Sequence, residues 1–299
     1  MIAYIYLNCM SGQGLAERYY KTNLKPFLKL NFNFKRVIYL PCESDDYMIE
    51  NEDNNENNTI FIIGGDGTVS MTILKIMENS NFQELNIPIY ICPFGSGNGL
   101  AKNLNIDPYK LNLNNKKYIR PLVFDYNGKN TFSFLAQTWG IISDIDINTE
   151  NLRYLGDLRY YYGILKSIFF PKYYEGECCI TDLKDNTINI KDSFLFFCGS
   201  NAPWISKDFN IAPLSDLFKK EIDILIIKEE LSFFQRLKLV YYLATDSIHK
   251  FPFIEYFKAK KYKLSIDNID SFLVSDGEKL LSTNIEVNLS DHKFLFYCN

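Results

Sequence analysis

The chain has 299 residues, 47% hydrophobic and 23% charged, which suits two folded domains better than one. A net charge of −4 gives no broad electrostatic footprint for nucleic acid. With two histidines, and seven cysteines in no CxxC or Cys/His spacing, a zinc site or a histidine-based triad is not expected, and the thiols read as reduced and intracellular.

The N-terminus MIAYIYLN lacks the basic region and cleavage site of a signal peptide. No apolar run approaches the roughly 18 residues that span a bilayer. The expectation is a cytoplasmic protein whose contact with membranes is transient and peripheral, without a transmembrane segment. In chain order, IAYIYLN reads as a strand, CMSGQG as a glycine loop, and Leu15 to Leu30 as a helix. FKRVIYL is a second strand, and the polar run from Glu50 to Thr59 a solvated loop. Strand Ile60–Ile63 then runs into Gly64-Gly65-Asp66-Gly67-Thr68, and a helix follows from Val69 with Val69, Ile73, Leu74, Ile76 and Met77 on one face. PIYIC leads into a third glycine loop, PFGSGNG. Strands alternating with helices imply a three-layer α/β domain with a mostly parallel sheet, expected over residues 1–112.

Beyond a linker at NLNNKKY, short β-like runs dominate: YIRPLVF, TFSFLAQTW, SFLFFCG, EIDILII, KYKLSI and HKFLFYC. They predict an antiparallel β-sandwich over residues 113–289, with residues 290–299 free to return to the first domain. Two helical patterns interrupt the strands. One is Leu152, Leu155, Leu158, Tyr162, Leu165 and Phe169, and the other runs from Leu231 to Ile248. YYYGILKSIFF and LSFFQRLKLVYYL are candidates for lining an acyl cavity, or plain core.

A strand that ends in glycines and feeds a helix suits phosphate, because glycine lets backbone N–H groups approach closely and the helix start is electropositive. Thr68 is a candidate N-cap. Neither GGDGT nor PFGSGNG is a Walker A or a GxGxxG fingerprint. Two readings stand: the glycines make tight turns and Asp66 caps a helix, or two loops side by side cradle phosphates. Phosphates repel an acid, so in the second reading Asp66 needs a chemical reason. Orienting an acceptor hydroxyl and taking its proton during phosphoryl transfer supplies one.

With GGDGT at 64–68, PFGSGNGLAKNL at 93–104 and DGE at 276–278, the sequence resembles the diacylglycerol-kinase catalytic-domain superfamily of lipid kinases. WGIISDIDINTENLRYLGDLRY at 139–160 is most similar to sphingosine kinases, that is, sphingoid long-chain base kinases. The resemblance implies a two-domain lipid kinase using ATP and Mg2+, with the two substrates meeting in a cleft. It implies Asp66 as catalytic base and Asn8, Gly12, Gly14, Gly64, Gly65, Gly67, Thr68, Gly95, Ser96, Gly97 and Asn98 around the nucleotide. Arg153 and Arg159 would reach ATP phosphates, Asp276, Gly277 and Glu278 would complete the nucleotide site, and Asp144 and Asp146 would hold the lipid head group. No dedicated protein metal site is implied. The first loop departs from the family pattern at Cys9 and Met10, and Met71 stands where a glutamate is common.

Asp144 and Asp146, two apart in a β-like run, would project from one face. An acid in an apolar pocket suits the ammonium of a sphingoid base, whereas diacylglycerol and ceramide carry no cation. Arg153 and Arg159 would need a break near Gly156 to point together. The alternatives are a diacylglycerol or ceramide kinase, a soluble-metabolite kinase such as NAD kinase, and a lipid-binding pseudokinase.

Overall fold

A computed structural model describes residues 1–80, 82–126, 128–149, 151, 158–228, 230–267 and 271–299. Its contacts divide the chain into one unit of Met1–Pro121, Ser206–Asp208 and Ser290–Asn299, and a second of Leu122–Ile205 and Phe209–Leu289.

The first unit is built on β1 (Ile2–Asn8), β2 (Phe34–Leu40), β3 (Thr59–Gly64), β4 (Ile89–Pro93), β5 (Lys116–Ile119) and the C-terminal strand Phe294–Tyr297. The sheet order is β2-β1-β3-β4, then the C-terminal strand, then β5. All neighbours are parallel except β5, which runs antiparallel to the C-terminal strand. The break expected near residue 112 therefore falls at Pro121, because Lys116–Ile119 pairs into this sheet.

Alternation along β1 drives the layering. Ala3, Ile5 and Leu7 join Ala16, Tyr19, Leu24 and Leu28 in one core, supplied by α1 (Leu15–Tyr19), the turn Tyr20–Leu24 and α2 (Lys25–Asn31). Tyr6, of opposite parity, stacks on Tyr47 with ring centroids 5.6 Å apart. On α3 (Asp66–Ser80), Val69, Ile73, Ile76 and Met77 are buried.

The second unit is a continuous antiparallel sheet. In chain order its strands are β6 (Leu122–Tyr126), β7 (Lys129–Ser133), β8 (Ala136–Gly140), β9 (Tyr174–Asp182), β10 (Thr187–Phe194), β11 (Phe196–Ser200), β14 (Ile222–Ile227), β15 (Glu255–Ile266), β16 (Leu273–Ser275), β17 (Glu278–Leu280) and β18 (Asn284–Leu289). A separate ribbon pairs β12 (Trp204–Ser206) with β13 (Phe209–Asn210).

The expected sandwich takes the form of one curled sheet, and β15 is its fold line. The first part of β15 pairs with β14, its register shifts between Ala259 and Lys261, and its second part lies between β18 and β9. Bulges bend strands in this way. Trp139, Phe194, Tyr262 and Ile224 fill one core, and Leu195, Phe196, Leu225 and Leu239 a second. The helices of this unit are α5 (Ile141–Asn148), α6 (Leu158–Phe169) and α7 (Phe233–Ala244), with the short α4 (Gly99–Asn103) belonging to the first.

Candidate active site

Three loops leave the carboxyl ends of β1, β3 and β4, neighbouring strands of the parallel sheet. The register sets Leu7 beside Ile63 and Gly64 beside Pro93, so the loops emerge at one level. Open α/β sheets bind ligands at this edge.

The loops interlock. Asn8 donates from Nδ2 to Thr68 Oγ1 at 3.2 Å, and its Oδ1 accepts from Met10 N at 3.2 Å. Gly12 has φ 61°, and a Cβ there would stand 3.1 Å from the carbonyl oxygen of Phe94. A Cβ on Gly95 would lie 2.3 Å from the Cα of Gly65. Only bare main chain fits at that crossing. Asn98, itself left-handed with φ 55°, closes the third loop by accepting from Gly95 N at 2.8 Å and donating to Gly95 O at 2.7 Å.

Asp66 joins two of these loops. Its Oδ2 accepts from Gly99 N and its Oδ1 from Leu100 N, both at 3.0 Å. It thus caps the helix of the third loop. The helix after the second loop begins at Asp66, two residues before the expected cap. Its first intrahelical bond runs from Val69 N to Gly65 O at 3.1 Å, which gives the cap position to Gly65. Thr68 consequently lies in the first turn, where it meets Asn8 and packs over Gly64. A carboxylate offers about four lone-pair directions, and these two backbone donors take one on each oxygen.

One contribution to this edge carried no signal in the sequence. Ser206–Asp208 clusters with the first unit, where Lys207 N donates to Gly97 O at 2.7 Å and Ser206 bridges Asn98. Lys207 thus meets the third loop through its backbone, and its Nζ lies 3.6 Å from Asp208. Ser96 and Met10 are exposed, Gly14 opens α1 with φ 89°, and Gly67 follows Asp66 in α3.

In the second unit, Asp276 and Gly277, with φ 47° and 85°, form the two-residue turn between β16 and β17. Asp276, expected at the nucleotide, places its carboxylate on the turn between β7 and β8. It accepts from Ser133 Oγ at 2.7 Å and from the backbone N–H groups of Phe134, Leu135 and Ala136 at 2.8, 3.0 and 3.1 Å. Burial raises its carboxyl above the usual Asp value, and these donors oppose the rise. Asp276 therefore anchors the hairpin that presents exposed Glu278.

The segment holding Asp144 and Asp146 is helix α5, not a strand. Residues two apart on a helix point about 200° apart, so the acids diverge instead of sharing a face. Gly140 ends β8 at φ 86° and ψ −139°, Ile141 and Ile142 pack on the second core, and Ile145 meets α6 at Gly163. Asp144 accepts from Tyr174 Oη at 2.7 Å through Oδ2, while its Oδ1 is buried and accepts from no described residue. Burial pushes its carboxyl above the ordinary Asp range, against the Tyr174 hydrogen bond and the charges of Lys172 and Lys166. Arg153 and Gly156 lie outside the described residues, as does the side chain of Arg159.

All seven cysteines are free, and burial pushes the Cys92 and Cys178 thiols up to about 12. Among the described residues no helix is long and apolar enough to cross a membrane.

Comparison with known proteins agrees with this geometry. The family model of the diacylglycerol kinase catalytic domain matches residues 3–120. The chain is 23% identical to sphingoid long chain base kinase 4 of Schizosaccharomyces pombe, over 92% of this chain and 70% of that one. It is 22% identical to sphingosine kinase 1 of Rattus norvegicus, over 58% of this chain and half the length of the relative. Two solved structures of Bacillus anthracis proteins assigned to the diacylglycerol kinases share the fold, with TM-scores of 0.71 and 0.64 at 16% and 14% identity. Each covers the whole of this chain, and the chain covers 95% and 96% of theirs. Over residues 3–120 the chain thus matches the diacylglycerol kinase catalytic domain, and over most of its length it is similar to the sphingoid base kinases.

Proposed function

We infer that the chain transfers the γ-phosphoryl group of ATP to the primary hydroxyl of a sphingoid base. The observation that carries the kinase reading is the position of Asp66, held between two glycine loops by the N–H groups of Gly99 and Leu100. There it would orient the acceptor hydroxyl and take its proton. Phosphoryl transfer is loose and proton removal comes late, so a weak base suffices. Asn8, Gly12, Gly64, Gly65, Gly67, Thr68, Gly95, Ser96, Gly97 and Asn98 would lie around the nucleotide, with Glu278, Arg153 and Arg159 completing its site.

Mg2+ bound with a nucleotide usually takes one or two carboxylates, phosphate oxygens and waters. Asp66 is a carboxylate of that kind at the loops, and among the described residues no cluster of three metal-ligating side chains forms. The fit is to a metal that arrives with the nucleotide and neutralises phosphate charge.

Asp144 supports a cationic lipid. A buried carboxylate oxygen that meets no donor among the described residues is costly, and an ammonium or hydroxyl of a long-chain base would offset that cost. Asp146, on the other side of α5, becomes the second choice for this role. Diacylglycerol and ceramide bring a hydroxyl but no charge. Such substrates reside in bilayers, so the protein would work at a membrane surface within the cytoplasm.

The test is purified protein with ATP and Mg2+ against sphingosine, phytosphingosine, diacylglycerol, ceramide and NAD. Phosphate on the sphingoid bases is the expected result. Phosphate on the neutral lipids alone would move the assignment within the superfamily, and ATP binding with no product would make the chain a pseudokinase.

A further inference from the structure

Tyr173 and Tyr174 stand side by side where the chain enters β9, and their hydroxyls meet different groups. Tyr173 is half-buried, and its Oη accepts from Leu231 N at 2.7 Å, just ahead of α7. Tyr174 is 4% exposed, and its Oη donates to Asp144 Oδ2 on α5 at 2.7 Å.

The ring that carries the Tyr174 hydroxyl is held from several sides. Tyr174 pairs with Phe194 across β9 and β10, and the Trp139 ring centroid lies 6.1 Å from that of Tyr174 and 5.3 Å from that of Phe194. All three side chains fill one core. Trp139 is itself tied by Nε1 to Ser271 Oγ at 2.8 Å, and a Cβ on Gly176 would stand 2.7 Å from its indole edge. Close packing therefore fixes the position of Oη before any contact with Asp144 is counted.

Asp144 has no such packing of its own carboxylate, and the Tyr174 bond sets its rotamer. That bond occupies Oδ2 and leaves Oδ1 buried, with no donor among the described residues. The charges that act on the carboxyl are Lys172, ahead of β9, and Lys166 of α6, both exposed. The sequence of β8 carries no charge, and Asp146 points away round α5. As a strut between β9 and α5 the pair is costly, because a hydroxyl on one oxygen does nothing for the desolvation of the other. As half of a binding site it has a use: one oxygen is pinned by protein and the other is kept for a cation.

We propose that Tyr174 is a positioning residue for amine recognition, its hydroxyl fixing Asp144 through Oδ2 so that Oδ1 receives the ammonium of a long-chain base. The proposal rests on the sphingoid-base reading for the identity of the ligand, and it concerns binding, not phosphate transfer. Loss of the hydroxyl acts in two ways. The carboxylate loses its fixed rotamer, and a donor that favours its ionised form disappears, so protonation extends to higher pH. An ammonium pairs with the ionised form, and binding should therefore weaken from a higher pH downward than in wild type.

The experiment measures binding of sphingosine and of ceramide in nonionic detergent micelles without ATP. It is run between about pH 5 and 7, where lysines and an alkylamine stay charged. Wild type is compared with Y174F, D144N, Y174F/D144N and Y173F, and melting temperature checks that each folds. Y174F should bind sphingosine about tenfold more weakly, with its pH midpoint moved upward, and ceramide within a few-fold of wild type. In the D144N background Y174F should add no further loss, because the hydroxyl acts through the carboxylate. Y173F should match wild type with both lipids.

Unchanged sphingosine binding in Y174F overturns the proposal. Equal losses for sphingosine and ceramide also overturn it, by making Tyr174 a packing residue, and so does an additive loss in Y174F/D144N. Wild type that binds no sphingosine overturns it as well. Parallel assays with ATP separate the two readings. Sphingosine bound with this pattern but never phosphorylated would refute the kinase reading and leave the proposal standing. Sphingosine phosphorylated with Y174F indistinguishable from wild type would refute the proposal alone.

Discussion

Gly65 and Gly95 touch through their main chains: a Cβ on Gly95 would fall 2.3 Å from the Cα of Gly65, and one on Gly65 would fall 2.9 Å from the Cα of Gly95. Two neighbouring loops are thereby packed at a distance that no side chain permits, and Asp66 and Asn98 hang from that crossing. Gly95→Ala must push the loops apart. The expected cost is about 1–3 kcal/mol of stability, from overpacking against backbone that cannot swing away. Thermal unfolding measures it, and ATP titration should show a binding loss of at least tenfold. Normal ATP affinity in a folded Gly95→Ala protein would contradict the packing argument.

Asp144 gives a pH prediction whose sign is fixed by burial. Its carboxyl titrates above the usual Asp range in the folded chain, so between the unfolded and folded values the native state holds the extra proton. Stability therefore falls as pH rises through that window and levels off above it. Asp144→Asn should flatten this part of a melting-temperature profile. Binding runs the opposite way, since an ammonium pairs with the ionised form. KM for a sphingoid base should rise as pH drops through the same window in wild type, and not in Asp144→Asn. KM for ATP should be indifferent to both changes.

Asp276 is expected to act through position rather than contact. Removing four hydrogen bonds at the turn Ser133–Ala136 with Asp276→Ala should cost about 2–4 kcal/mol, because buried N–H donors are left without a partner. The conservative Asp276→Asn keeps one acceptor and should recover part of that loss in a denaturant titration. Equal stability of Asp276→Ala and wild type would return the residue to the nucleotide.

Lys207 separates backbone from side chain. Lys207→Pro deletes the N–H that meets Gly97 O, and Lys207→Ala deletes only the side-chain ammonium, which lies 3.6 Å from Asp208. Both should weaken ATP binding, Lys207→Pro by more, and the Lys207→Ala effect should shrink as salt is added. A loss confined to Lys207→Pro would mean that the segment contributes only its main chain.

Much of this was legible in the residues because the physics is local. Glycine at strand ends, an acid among them and helix-period apolar residues after them specify the three loops without reference to the rest of the chain. SDID misled for an equally local reason: isoleucine at alternate positions is a strand signal, and the turn at Gly140 that converts it to helix is set by the close approach of Leu195 O, 2.4 Å from where a Cβ would stand. Thr68 looked like a cap because nothing in the sequence says that the preceding Asp66 already has helical geometry. Lys116–Ile119 and Ser206–Asp208 went unassigned because strand pairing over long separations leaves no mark on the segment itself. Asp276 was read from its motif, and its partners lie about 140 residues earlier in the chain.

The most direct measurement is turnover of Asp66→Asn with a sphingoid base, beside ATP affinity for the same protein. The variant puts an amide where two backbone N–H groups expect acceptors, so a modest fall in melting temperature should accompany it. The account predicts kcat lower by roughly 10²–10⁴-fold with the dissociation constant for ATP within a few-fold of wild type. Near-normal kcat in a folded Asp66→Asn protein would contradict it, and would leave the carboxylate as a strut between two loops.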